Sequence, residues 1–546
     1  MQQQLSTQAR AQWRTAKLIA LTLCLVPAAH ANSSWVNTQT HGFKLKNQLM
    51  SSEMQSGAPI SIVVSLKLRN KAQLDRTIAD MHQGQRPAIS ADEFMRSYAP
   101  TDAQVQSVVR HLSQSGFTHI QIASNRLLIG AEGNAAGVKT AFHTTLIQFN
   151  DGQRLVHANK SNAQVPAALG ATVLSVLGLQ NVKTAHIMAR RAVAGAKLVP
   201  SGILAHDPFY FSTIYDGLST KPASMATVGI IAQGDLSQTL IDLQQFQKSH
   251  KLTVPVSTVL TGPANDDNSG MVEWNMDSQT SIGAAGGSMK QLIFYVAPTL
   301  ENTDLTTAYN QVVIDHKASV INVSLGECEV DSSNDGTNAA EDQIFESAVA
   351  QGQTFSVSSG DSGSDECGDG GTNQSYPAVS PYVMAIGGTT LSTDNMGKYV
   401  TETVWNGGGG GLSSTESAPQ WQTQSGVLKG STKRGVPDVA FDGDPASGAS
   451  VIINGSPQLW GGTSLSAPIF TGIWARMQSI YDNQAGFAGA WIYKAGVKNP
   501  KVFHDITVGN NGAFSATPGW DYATGWGSID IGAFNNVMNG GPGALK

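Results

Sequence analysis

Beyond about residue 220 the chain alternates two kinds of segment. Short apolar runs at 226–231, 291–296, 319–324, 354–358, 383–386 and 450–453 read as strands. Between them, 236–249, 302–316 and 339–351 carry apolar residues at helical spacing. Strands separated by helices pair in parallel, because each crossover returns the chain to the same end of the sheet. The pattern predicts an α/β fold with a doubly wound, mostly parallel sheet. With 546 residues, more than one domain is expected. Charged residues make up only 14%, there are 57 glycines, and the formal net charge is −6. That balance fits a loop-rich globular protein and excludes a nucleic-acid-binding surface.

The N-terminal part reads differently. Residues 1–31 have the form of a signal peptide: Arg10, Arg14 and Lys17 precede an apolar run at 18–26, and Ala29-His30-Ala31 supplies a small-residue cleavage site. The run is too short to span a membrane, so no anchor is expected. Residues 32–185 contain a small α/β unit. A strand is expected at 60–66. Thr101 can cap a helix that places Val105, Val108, Val109 and Leu112 on one face, with Gly116 closing it. Strand material at 120–129, broken near Asn125, and a second helix at 138–142 complete two β-α-β passes, a ferredoxin-like arrangement. Residues 186–198 show no core pattern and read as a linker, leaving 199–546 as the large domain. Cys328 and Cys367 remain after the leader. An even number in an exported chain points to one disulfide, two free buried thiols being the alternative.

The segment Gly462-Thr463-Ser464-Leu465-Ser466-Ala467-Pro468 presents a serine on a small-residue turn ahead of an apolar run. Pro468 is expected where that helix starts. A hydroxyl at a helix N-terminus is favourably placed for negative charge, but it needs a base. Three arrangements compete. Gly360-Asp361-Ser362-Gly363 with Thr184-Ala185-His186 has a chymotrypsin-like look, but His186 lies in the linker. A histidine base of the subtilisin kind would have to be His206, His250, His316 or His504, and none stands in a His-Gly-Thr context. The third uses carboxylates. Glu273 and Asp277 are four residues apart on one helical face, beside Trp274, Met276 and the small or apolar 282–287 segment. Buried together, two such groups resist joint ionisation and titrate as a unit.

With Gly-Thr-Ser-x-Ser-Ala-Pro, Glu-x-x-x-Asp and Ser358-Ser359-Gly360-Asp361 in this order, the chain resembles the sedolisin family, the serine-carboxyl peptidases. Trp405-Asn406 before the glycine run 407–411, and Arg434-Gly435-Val436-Pro437-Asp438-Val439-Ala440, are similar landmarks. The resemblance implies a subtilisin-like catalytic domain behind a pro-domain that assists folding and blocks the cleft. It implies Ser464 as nucleophile, Glu273 as general base, Asp277 as its orienting partner and Asp361 as an oxyanion-hole acid. It also implies that Ser324-Leu325-Gly326 pair with extended substrate. His504-Asp505-Ile506-Thr507 and Ala516-Thr517-Pro518-Gly519-Trp520-Asp521 resemble the family's calcium loop, with one structural Ca2+ held by the Asp505 and Asp521 side chains and the Ile506, Thr517 and Gly519 carbonyls.

The function expected is therefore a secreted, acid-acting endopeptidase that acts on proteins or peptides and removes its own pro-domain near 186–200; a periplasmic location is the alternative to full export. A tripeptidyl exopeptidase of the same family and a non-catalytic exported binding protein on a protease fold are the alternatives in function.

Overall fold

Thr101 caps the helix Asp102–Gln114 as its sequence predicts. Its hydroxyl accepts the Gln104 N–H, and the Gln104 side chain returns a bond to the Thr101 N–H, a complete capping box. Gly116, at φ +91°, ends the segment in the left-handed region that a helix C-terminus needs. Val105, Val108 and Leu112 are buried with Ile62, Val64, Val138 and Phe142 in a core belonging to this N-terminal unit. Its sheet has β1 (Pro59–Leu66), β2 (Thr118–Ile122), β3 (Leu128–Asn134) and β4 (Val173–Leu177) in the order β2-β3-β1-β4, with every pair antiparallel. With α1 (Lys71–His82), α2 (Asp102–Gln114) and α3 (Ala135–Phe142) as crossovers, this is the ferredoxin-like order. A strand at Leu146–Asn150 pairs with Leu155–Asn159 and Ser51–Glu53 as an added small sheet. The structure is a computed structural model and describes residues 34–45, 50–192 and 205–540. The leader at 1–31 and the linker residues 193–198 lie outside the described residues.

The catalytic region is built on an eight-stranded sheet. Its strands are β5 (Ala223–Gln233), β6 (Val256–Leu260), β7 (Met289–Ala297), β8 (Val320–Val323), β9 (Thr354–Ser358), β10 (Met384–Thr393), β11 (Tyr399–Val404) and β12 (Val439–Asp442). The order is β6-β7-β5-β8-β9-β10-β11, with β12 also paired to β10. All pairs are parallel except β10–β11. The run at 450–453 is the one expected strand that leaves this sheet. Ala449–Ile453 instead forms an antiparallel hairpin with Ser456–Gly461, because only two residues, Asn454 and Gly455, separate the two strands and both adopt positive φ. Among the described residues no helix is long and apolar enough to cross a membrane.

Two helices carry the chemistry. Helix α4 (Met271–Ala284) is buried from Glu273 to Ala284, and α5 (Thr463–Ile480) is buried along nearly its whole length. Pro468 does not start α5. It lies inside the helix, which begins at Thr463. A proline lacks the N–H that would bond to the carbonyl four residues back, so Ser464 C=O is left without its intrahelical donor.

The N-terminal unit packs on the catalytic helix α6 (Thr337–Ala350). Gln343 accepts the Leu68 N–H at 2.8 Å, the Ile89 N–H donates to Ala350 C=O, and Lys71 lies 3.0 Å from the buried Glu346 carboxylate. Leu74, Ile78 and Phe94 of this unit are part of the same continuous core as the catalytic domain.

Candidate active site

Glu273 and Asp277 project from one face of α4, and both are fully buried. Burial and the charge of Asp277 push the Glu273 pKa well above the usual carboxylate range, and Asp361 adds to this. Burial is also the main cause that raises Asp277. Asp277 is held by a relay. Thr471 donates to Asn322 Oδ1 at 3.1 Å, Asn322 Nδ2 donates to Ser324 Oγ at 3.0 Å, and Ser324 donates to Asp277 Oδ1 at 2.6 Å. The Ser324 side chain is thus engaged with a carboxylate.

Four polar atoms in this pocket are buried without a hydrogen-bond partner: both Glu273 carboxylate oxygens, Asp277 Oδ2 and Ser464 Oγ. Such groups are rare in a folded protein and mark a site with work to do. The Ser464 hydroxyl and the Ala189 amide lie close enough to Glu273 to favour its charged form. Neither closes to full hydrogen-bond geometry, as is common before a reacting complex tightens.

Asp361 stands on the other side of Ser464. Its Oδ1 accepts the Thr463 N–H at 2.7 Å and the Thr463 hydroxyl at 2.9 Å. Burial raises its pKa to about 6, against the pull of these donors and of Arg190. Its loop is supported from behind by the glycine run. The Gly409 N–H bonds to Gly360 C=O, the Gly363 N–H bonds to Gly407 C=O, and Ser359 Oγ donates to Gly409 C=O at 2.7 Å. The glycine run therefore acts as a backing plate. Gly462, at φ +108°, must be glycine for two reasons. Its conformation is left-handed, and a Cβ would collide with the Met188 carbonyl oxygen and stand 2.7 Å from Asp361 Oδ2.

The linker expectation needs correction here. Residues 186–191 are ordered and cross the site as two short strands. His186–Ile187 pairs antiparallel with Gly326 and Leu325, and Arg190–Arg191 pairs antiparallel with Gly461 and Trp460. Arg190 Nε lies 3.3 Å from Asp361 Oδ2. The residues have no periodic apolar pattern because their partners come from the other domain, so local sequence carried no signal for them. Leu325 and Gly326, expected to pair with extended substrate, here pair with this segment of the same chain.

Histidine bases do not fit. His250 is bonded to Asp207, His504 stacks on Tyr399 and faces Asp216, and His206 packs on Phe211. His316 ends a helix in the left-handed region. His186 is paired to Gly326 in the crossing segment. Ser362, the serine of the chymotrypsin-like alternative, sits on the Asp361 loop with its N–H on Glu366. Glu366 is a further carboxylate of the site that motif reading missed, raised to about 8 chiefly by burial. Cys328 and Cys367 are joined in a disulfide, which ties the loop next to Glu366 to the strand Leu325–Cys328.

The residues expected to hold calcium converge on one turn. Asp505 accepts the Gly519 N–H at 3.0 Å, and Asp521 accepts the Thr517 N–H at 2.8 Å. Asp521 Oδ1 also accepts the Ala523 and Thr524 N–H groups. Among the described residues neither carboxylate has a Lys or Arg partner within ion-pair distance. Burial raises the Asp521 pKa. Two carboxylates with no Lys or Arg partner among the described residues, brought to one turn by its N–H groups, are oxygen donors of the kind a hard divalent cation takes.

A hydroxyl, a buried carboxylate pair and an opposing protonatable acid around an extended chain form a site that can transfer an acyl group. The comparisons with known proteins agree. Residues 47–182 match the family model for the pro-kumamolisin activation domain, and 254–527 match that of the subtilase family. The chain is 45% identical to sedolisin of Pseudomonas sp. (strain 101), covering 92% of each chain. It is 36% identical to xanthomonalisin of Xanthomonas sp. (strain T-22), covering 97% of this chain and 76% of the relative. The solved structure of Pseudomonas sedolisin, a serine-carboxyl proteinase complexed with two molecules of pseudo-iodotyrostatin, superposes with a TM-score of 0.60 at 46% identity, over 62% of this chain and 99% of that one. The chain belongs to the sedolisin family of serine-carboxyl peptidases.

Proposed function

We propose that this protein is an acid-acting endopeptidase, exported as a proenzyme whose N-terminal unit is its own intramolecular inhibitor. The observation that carries the endopeptidase reading is the continuous chain through the cleft. Residues 186–191 enter along Leu325 and Gly326 and leave along Gly461 and Trp460, so the groove accepts the interior of a chain at both ends. A tripeptidyl exopeptidase needs the groove to end at the substrate's free amine, whereas this segment continues through both paired stretches. Backbone pairing of this kind gives affinity with little sequence choice.

In this reading Ser464 attacks the substrate carbonyl while Glu273 takes its proton. Asp277, oriented by Ser324 and Asn322, shares the proton of the pair. Asp361 donates a hydrogen bond to the developing oxyanion, which only its protonated form can do. The Glu273–Asp277 pair must hold one proton and Asp361 must hold its own, so the working range lies on the acid side of Asp361's pKa, which is about 6 beside Arg190 and higher once that cation leaves. The proton then passes from Glu273 to the leaving amine, and water resolves the acyl-enzyme.

One structural calcium ion at Asp505, Ile506, Thr517, Gly519 and Asp521 is part of the same proposal. It would neutralise two carboxylates and fix the C-terminal turn. Export rests on the leader sequence.

The test is hydrolysis of matched peptides with free and acetylated N-termini by acid-treated protein. Internal cleavage of both supports the endopeptidase. Release of tripeptides from the free form alone would establish the exopeptidase.

A further inference from the structure

The crossing segment has a definite register, and that register selects one peptide bond. On one side, His186 is opposite Gly326 and Ile187 is opposite Leu325. On the other, Arg190 is opposite Gly461 and Arg191 is opposite Trp460. Only Met188 and Ala189 lie between the two paired stretches, and Ser464 is three residues beyond Gly461. The Met188 carbonyl oxygen sits against Gly462 beside Asp361 Oδ2. The Ala189 amide faces the Glu273 carboxylate. The Met188 side chain is 1% exposed, and its Cε stands 2.6 Å from where a Gly326 Cβ would be. A carbonyl oxygen near the acid donor, an amide nitrogen near the base and a buried side chain are relationships expected of a bond about to be hydrolysed.

We propose that the first maturation cut is hydrolysis of the Met188–Ala189 peptide bond by the Ser464 of the same molecule. The inference rests on the peptidase reading given above and adds the bond on which it first acts. Ser464 Oγ bonds to the Met188 carbonyl carbon as its proton passes to Glu273. The carbon–nitrogen bond then breaks as that proton moves to the Ala189 nitrogen. One water molecule resolves the ester, leaving a carboxyl on Met188, an amine on Ala189 and the hydroxyl of Ser464 restored. After the cut, Ile187 and Met188 leave with the N-terminal unit, and Arg190 and Arg191 stay with the mature chain. The new N-terminus is then free to swing out of the groove, taking the Arg190 guanidinium away from Asp361. Later trimming beyond Ala189 does not alter which bond opens first.

The experiment uses the full chain purified at neutral pH. It is acidified, quenched over a time series and read by intact mass and N-terminal sequencing, with casein hydrolysis followed in the same samples. The earliest new N-terminus is expected to read Ala-Arg-Arg-Ala-Val, with a complementary fragment ending at Met188 and a rate independent of protein concentration. The Ala189→Pro chain is expected to lose this product, whereas Met188→Leu keeps it. An earliest N-terminus elsewhere, with the Met188–Ala189 bond intact and casein still hydrolysed, overturns the junction while the peptidase reading stands. A chain that neither opens nor hydrolyses casein at any pH overturns both.

Discussion

Arg190 Nε lies 3.3 Å from Asp361 Oδ2, so a cation from the segment blocking the cleft sits on the acid that would stabilise the oxyanion. The Asp361 side chain is fully buried and the Arg190 side chain is half exposed. The ion pair favours the carboxylate, which cannot donate a hydrogen bond. Latency at neutral pH and release in acid follow from the same contact. Burial raises Asp361 to about 6 and Arg190 opposes that rise, so removing the guanidinium lets the pKa climb. The Arg190→Gln proenzyme is expected to begin processing at a pH higher by up to about 1 unit, a figure kept small because the arginine is partly solvated. Self-cleavage rates from pH 3 to 7 check this, and an unchanged onset would argue against the contact as a latch.

Asp361 itself separates donation from charge. Asp361→Ala removes the donor and is expected to cost roughly 10²–10³ in kcat. Asp361→Asn keeps a donor that never ionises. Its residual activity should lose the decline that wild type shows as rising pH ionises Asp361. The comparison needs only kcat against pH for the three proteins. Identical alkaline limbs in wild type and Asp361→Asn would place the controlling ionisation elsewhere.

If the proposed site holds calcium, its binding and acid stability are linked at Asp521. Burial raises its pKa, so it takes up a proton at higher pH than an ordinary aspartate. A group with a raised folded pKa disfavours the folded state when ionised, unless a cation compensates it. Chelation at neutral pH is therefore expected to lower the melting temperature, and the loss should shrink as the pH falls and Asp521 becomes protonated. Asp505→Ala should melt like the chelated wild type and no longer respond to chelator. A chelator effect of equal size in both proteins would count against the site.

Arg434 and Asp438 form a fully buried ion pair, with guanidinium nitrogens 2.6 and 2.7 Å from the two carboxylate oxygens. Asp438 also accepts the Ala385 N–H and the Tyr493 hydroxyl, so it joins β10 to the C-terminal helices. Removing one partner strands a charge in the core. Asp438→Ala is expected to destabilise by about 3–5 kcal/mol, readable by denaturant unfolding of the inactive Ser464→Ala chain. A cost below about 1 kcal/mol would mean the arginine finds another acceptor.

Elements whose stability comes from their own periodicity were legible in the sequence. The parallel strands 226–231, 291–296 and 354–358 fall inside β5, β7 and β9, and the Thr101 cap fell at its expected position. The Glu273–Asp277 face was legible because a four-residue spacing on a helix leaves little geometric freedom. Pro468 was misplaced because proline is favoured in a first turn, and a buried α5 tolerates it one turn later. Contacts between distant segments left no local trace. Arg190 on Asp361, Met188 in its pocket and the backing of the Asp361 loop by 407–411 depend on tertiary closure. The acidic residues of α6 show the same limit. Glu341, Asp342 and Glu346 look like a solvated helix face in sequence, yet Glu341 and Glu346 are buried and Asp342 is partly so, bonded to Thr306, to Lys71, and to Tyr376 and Ser380 respectively.

The central claim is a serine nucleophile served by carboxylates in place of histidine. Its most direct test is casein hydrolysis by acid-treated protein from pH 2 to 8, for wild type, Ser464→Ala and Glu273→Gln. The account predicts activity confined to the acid side, fading as Asp361 ionises above the value of about 6 that it has beside Arg190, and abolished in both variants. Activity that peaks above pH 7, or that survives Glu273→Gln, would contradict it.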